Sequence, residues 1–241
     1  VQFQLDQTPP QAGYAPLTVQ VRDANGQPLS GLNLALQPAP LMYMEGHHHS
    51  TPHAGCTPTD AQGVGHCALY YLMSSSMNGQ STGYWEIALT VGDDRVYLRP
   101  NVRMAPMNET ARVNFKHQNA SLMLFPEGLD SDGNLSLYLA GRQDMMNFPG
   151  VGAGVTLGEL AILSAQVFVT PDGAGEIELS ADPATPGRFQ TSVLGSLPAA
   201  SLQSLRVRVQ LNGEPITTDG QPLSEANGSQ LLSVRVQGAG S

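Results

Sequence analysis

Residues 41–56 of the chain read LMYMEGHHHSTPHAGC. Four of the six histidines and two of the nine methionines fall between Met42 and His53, and Cys56 follows. Imidazole nitrogen suits Cu(II), Zn(II) and Ni(II), whereas a thioether binds Cu(I) well and hard ions hardly at all. A site that mixes the two holds copper in either oxidation state, while zinc gains little from the sulfurs. On an extended segment Met42 and Met44 share one side, with Tyr43 and Glu45 opposite; His47 and His49 share a side and His48 faces away. Gly46 permits a bend, His53 follows a proline and can fold back, and His66 directly precedes Cys67. Met77 lies just beyond a strand-like run, and Trp85, the one tryptophan, offers an indole face to a soft cation. The expected copper ligands are therefore His47, His49 and His53, with His48, Met42, Met44, His66 and Met77 as further donors and Trp85 packed nearby.

Each of these residues also has a purely structural reading. Were the alternation of Leu32, Leu34 and Leu36 to continue through the two prolines of QPAPLMYM, Met42 and Met44 would be core residues. Met73 is in phase with Leu69 and Tyr71 and is expected to pack. Met104 and Met107 have a spacing that can clamp Cu(I) from one loop, although in a β-rich chain it more often marks edge packing. Met145 and Met146, in DMMNFPG, would serve as a second soft site or a docking surface. The sequence leaves Met73, Met104, Met107, Met145 and Met146 open between packing and ligation.

The two cysteines, Cys56 and Cys67, bracket a Gly-, Pro- and Thr-bearing segment. A single disulfide is expected, which implies an oxidising compartment, periplasmic or secreted; two thiolate ligands are the rival reading. With 20 acidic against 11 basic residues the net charge is -9, which repels nucleic acid and anionic lipid and tolerates cations. No apolar run is long enough for a membrane-spanning helix, so no membrane span is expected. No basic-then-apolar leader opens the chain at Val1, which is expected whether one was removed or never existed.

The elements that must position these donors are strands. PLTVQVRDANGQPLSGLNLAL sets Leu17, Val19 and Val21 on one face, turns at DANGQP, and resumes with Leu32, Leu34 and Leu36. Runs such as CALYYLM, YWEIALTV, RVYLRP, SLMLF, LSLYLA, AQVFVT, LRVRVQL and LLSVRV repeat the pattern between Gly, Pro, Asn and Asp. So many short strands predict an all-β fold of two tandem antiparallel β-sandwich (Ig-like) domains, 1–118 and 119–241, the boundary falling in VNFKHQNASLMLF. Only VTLGELAILSAQ competes as a helix, against a strand reading.

PLSGLNLALQPAPLMYMEGHHHSTP followed by GYWEIALTV resembles the YtkA/FixH-like extracytoplasmic domain over roughly residues 15–100. Members of that family carry a PxMxGHGHxTP-like loop and a later GYWEL-like strand; Met44, Gly46, His47, His49, Thr51 and Pro52 match the first, and Gly83, Tyr84, Trp85 and Glu86 the second. Met42 stands at the pattern's proline and His48 at its second glycine, so neither inherits a role. The resemblance implies copper handling or copper-oxidase biogenesis outside the cytoplasm, with a copper transporter, oxidase or other copper protein as partner. It says nothing of the second half, nor of His53, His66, Met73 and Met77, which lie in an insertion at residues 53–81.

Catalysis finds little support. DSDGN at 130–134 places its glycine fourth rather than sixth for a calcium loop, with Gly141 where a bidentate Glu belongs. Neither G-x-S-x-G nor H-E-x-x-H occurs. The expected protein is not an enzyme but an extracytoplasmic copper-binding protein for storage, delivery or sequestration. The alternatives are a non-metal adhesion or scaffold module, or a Zn- or Ni-binding protein.

Overall fold

Three of the chain's tight turns share one sequence pattern, D-x-x-G-x, in Asp23–Gln27, Asp60–Val64 and Asp130–Asn134. In the computed structural model, which describes residues 2–5 and 9–237, each aspartate Oδ1 accepts the backbone N–H groups two and four residues on. The glycine of each turn (Gly26, Gly63, Gly133) takes a positive φ, which a Cβ would oppose. DANGQP thus turns as the sequence predicts. The carboxylate of Asp130, held below its usual range chiefly by hydrogen bonds from Asn134, caps a turn.

Between the turns the chain is strand, arranged as two tandem Ig-like β-sandwiches: Val1–Met104 with Met145–Asn147, and Ala105–Asp144 with Phe148–Ser241. The first holds β1 (Gln2–Leu5), β2 (Gly13–Tyr14), β3 (Leu17–Arg22), β4 (Leu34–Leu36), β5 (Leu41–Met44), β6 (His47–Ser50), β7 (His53–Cys56), β8 (Val64–Tyr71), β9 (Ser76–Met77), β10 (Gln80–Ser81), β11 (Tyr84–Val91) and β12 (Asp94–Leu98). One sheet runs β1-β3-β8-β2 with β7 beside β8; the other runs β12-β11-β5-β6 with β4 beside β11; β9 and β10 form a separate hairpin. Alternation turns Val19, Val21, Leu69 and Tyr71 of the first sheet towards Leu36, Met42, Trp85, Ile87 and Leu89 of the second, giving one buried core. A Cys56–Cys67 disulfide joins β7 to β8.

The second unit holds β13 (Val113–His117), β14 (Ala120–Asp130), β15 (Leu135–Arg142), β16 (Thr156–Leu157), β17 (Leu160–Ala161), β18 (Ala165–Pro171), β19 (Ile177–Glu178), β20 (Ser180–Ala181), β21 (Arg188–Thr191), β22 (Leu202–Leu211), β23 (Glu214–Pro215) and β24 (Gln230–Gln237). Its main path is β19-β18-β22-β24-β14-β15-β21-β20, antiparallel except where β14 meets β24 in parallel. A bulge between Pro126 and Gly128 shifts the register of β14 on β15. Leu122, Leu124, Leu137, Leu139, Val167, Val207, Val209 and Leu232 lie in its core.

Two expectations change. The boundary read at 118/119 falls in the turn of the β13–β14 hairpin, where His117 pairs with Ala120. The division lies instead between Met104 and Ala105, because residues 109–110 are tied to β24: Thr110 N–H donates to Ser233 O at 2.9 Å, and Arg235 Nε donates to Glu109 at 2.7 Å. VTLGELAILSAQ is no helix; Gly158, at φ 61°, turns β16 back onto β17.

Candidate metal centre

The sequence LMYM-EG-HHHS folds on itself as a hairpin. Glu45 and Gly46 form its tip, and Gly46 takes φ 78°, a value that an L side chain rarely adopts. The register then follows: Met44 faces His47, Tyr43 faces His48, and Met42 faces His49. Directly paired residues share a face and successive residues alternate, so Met42, Met44, His47 and His49 stand on one side, Tyr43 and His48 on the other. Paired Cβ atoms lie about 5 Å apart, so two thioethers and two imidazoles border one strip of the hairpin.

β11 extends the same rows. Trp85 pairs with Met42 and Tyr84 with Tyr43. On the inner side Trp85, Met42 and His49 lie across three strands; the His49 ring meets the Trp85 indole edge-on at 5.6 Å, and Tyr71 meets it likewise at 5.1 Å. Trp85 Nε1–H donates to Met73 O at 3.0 Å, which satisfies the one polar atom of a fully buried side chain. On the outer side Tyr84 stacks on Tyr43 at 5.1 Å, Tyr43 lies 5.8 Å from His48, and the Arg99 guanidinium sits 4.8 Å above Tyr84 while bonding Glu86 at 2.7 Å.

The two inward histidines are in a defined tautomer. His47 Nδ1 lies 3.1 Å from the carbonyl oxygen of Glu45, and His49 Nδ1 lies 2.7 Å from that of Ser50. A carbonyl can only accept, so each Nδ1 carries the proton and the lone pair of the neutral ring is on Nε2. Backbone carbonyls in this position are the usual means of orienting a ligating imidazole. His47 is exposed, Met44 half-buried, His49 buried, and Met42 fully buried.

The remaining expected donors are placed elsewhere. His48 faces out beside Tyr43, because a central residue of an extended triplet must oppose its neighbours. His66 faces away from the core on β8, with Thr18 Oγ1 3.1 Å from its Nδ1; since Cys67 points inward, the residue before it points outward. Met77 is exposed on the separate β9–β10 hairpin. His53 lies on β7 opposite Leu69 in the other sheet, and burial lowers its pKa. Met42 belongs to the core, its methyl end against Gly83, so the leucine alternation does resume beyond the prolines. Met73 packs at the margin of the same core, Met123 is buried in β14, and Met104, Met107, Met145 and Met146 are exposed.

Among the described residues no three His, Cys, Asp or Glu side chains gather to hold a metal ion. Both cysteines are spent in the disulfide. A centre on this hairpin must therefore draw on thioether sulfur, and Met44, His47 and His49 are the residues that fit. The sequence did not reveal the carbonyl contacts that set the tautomers, nor the outer row of Tyr84, Tyr43 and Arg99. The only signal for the row was that Tyr43 and Tyr84 each precede or follow an inward residue by one.

No protein-family model and no curated protein matches the sequence. Among solved structures, the chain is similar to InvD of Yersinia pseudotuberculosis at 14% identity and TM-score 0.27, over 95% of this chain and 55% of that one. It is similar to domains 5–6 of the S-layer protein SbsC at 12% identity and TM-score 0.31, over 100% and 98%. Invasin, a bacterial integrin-binding protein, is similar at 13% identity and TM-score 0.28, over 98% and 38%. The chain thus spans about half the length of InvD and less of invasin. Among the described residues no helix is long and apolar enough to cross a membrane.

Proposed function

We propose that the first unit binds copper at the β5–β6 hairpin and serves its storage, delivery or sequestration outside the cytoplasm. The observation that carries this reading is the hairpin register, which sets Met44, His47 and His49 on one face, with Nδ1 of each imidazole beside a backbone carbonyl. One thioether and two neutral imidazoles suit Cu(I), and the imidazoles alone retain Cu(II); zinc would lack an anionic ligand there. Met42 is the floor of the site rather than a ligand, since its sulfur lies within the core. The disulfide supports an oxidising compartment, periplasmic or secreted. The likeness of the GHHHSTP and GYWE segments to the YtkA/FixH-like domain adds to the reading, with a copper transporter, oxidase or other copper protein as recipient.

The test is titration with Cu(I) against a competing chelator and with Cu(II) followed by Trp85 emission. Trp85 is the only tryptophan and its ring lies 5.6 Å from that of His49, so bound Cu(II) should quench it and Zn(II) should not. His47→Ala with His49→Ala should weaken Cu(II) by more than about tenfold, and Met44→Ala should weaken Cu(I) selectively. Binding of neither ion below about micromolar, or a double variant indistinguishable from the parent, sinks the proposal. An adhesion or scaffold role would then be the standing alternative, and equal affinity for Zn(II) or Ni(II) would change the metal.

A further inference from the structure

The outward face of β18 and β22 and the segment 222–229 border a groove of about 490 Å³, lined by Thr170, Glu176, Arg206, Arg208, Leu223 and Ser229 among others. Its two arginines differ. Arg208 is clamped: Nε and Nη2 bond the two oxygens of Glu176 at 3.0 and 2.6 Å, and its guanidinium covers the Phe168 ring at 4.0 Å. The side chain of Arg206, two residues earlier on the same outward face, makes no hydrogen bond or ion pair with any described residue. Its strand partners across the face are Thr170 on β18 and Leu231 on β24, and both Leu231 and Leu223 are exposed.

We propose that this groove binds an acidic peptide segment of a partner, seating one carboxylate on Arg206 with a neighbouring aliphatic side chain against Leu223. The open guanidinium fork matches a carboxylate in two parallel bonds. One open cation, with Glu225 also lining the groove, favours a monoanion over a phosphate dianion. A fatty acid would need an enclosed apolar tunnel, and here Leu223 is the one aliphatic side chain among mostly polar lining residues. A sugar acid would want a bare aromatic face, but Phe168 is covered by Arg208. An extended peptide can lie along the strands and meet both the cation and the exposed leucines.

The test uses the full chain and the capped tripeptide acetyl-Leu-Asp-Leu-amide, followed by NMR through the Arg Nε–H resonances. The expected result is a saturable shift of the Arg206 resonance. Affinity should fall by about tenfold when Asp is replaced by Asn in the peptide and equally in Arg206→Gln, with Arg206→Lys in between. Arg206 is exposed and makes no contact that holds the fold, so these variants keep the structure. No shift up to about 10 mM peptide overturns the proposal, as does equal binding of the Asn peptide or of the Arg206→Gln variant. Binding of glucuronate in place of the peptide would make it a sugar-acid site and overturn it equally.

Discussion

At the scale of single residues, the donors in residues 41–56 divide by the parity of a strand. Alternation alone sets His48 against His47 and His49, and that much was legible from the order of residues. What alternation does not supply is which side is the core; Met42 is sealed and Met44 is not, because Met44 sits two pairs nearer the tip of the hairpin. His53 carries a separate consequence. Burial lowers its folded pKa below the usual 6.5, so on acidification the unfolded chain takes up that proton first. Its contribution to stability is complete above about pH 6.5 and is lost as pH falls through the lowered folded value. Urea unfolding of the metal-free protein across this range should show midpoints that decline with acid, and His53→Gln should flatten the decline. A variant as acid-sensitive as the parent would show that His53 is not the group responsible.

At the scale of elements, the site depends on two positions that hold β5 between β6 and β11. Both involve glycine, yet they differ in kind. A Cβ on Gly46 would meet nothing within 4 Å, so Gly46→Ala suffers only the positive φ and should cost about 1 kcal/mol. A Cβ on Gly83, at φ 139°, would collide with the backbone carbonyl of Tyr43 and crowd the Met42 methyl at 3.1 Å. Gly83→Ala must push β5 off β11 at the row that joins Trp85, Met42 and His49, and should cost more than about 3 kcal/mol. Urea midpoints of the two variants check the contrast; equal losses would mean that the approach of β11 does not fix the hairpin. Strands and their turns were readable because D-x-x-G and period two are local signals. The expected 118/119 boundary falls inside a hairpin because the same signals mark a turn within a sandwich as readily as a gap between two. What assigns residues 105–112 is pairing with β24, more than a hundred residues away, to which no local pattern points.

For the whole molecule, the two sandwiches have separate cores stabilised by different means, so they should lose structure in separable steps. The first has the Cys56–Cys67 link, which closes an 11-residue separation and contributes about 3 kcal/mol through the unfolded chain. The second has a buried ion pair instead: Arg188 bonds Glu127 through Nε and Nη2, each at 2.8 Å, with the Ser136 hydroxyl on the same carboxylate. Glu127 is 6% exposed at its side chain, so removing it takes two charge-assisted bonds from a mostly shielded guanidinium that keeps Thr185 at 3.2 Å and Asp182 at 3.8 Å, at a cost of about 3 kcal/mol. Calorimetry of the metal-free chain should therefore resolve two transitions. Cys56→Ser with Cys67→Ser should lower one by on the order of 10 °C, Glu127→Leu should lower the other by a similar amount, and neither change should move its counterpart. A single transition that both variants shift would mean that the units unfold as one. In that event a copper site in the first sandwich and a peptide groove in the second would share a stability, and occupancy of either would raise the apparent stability of both.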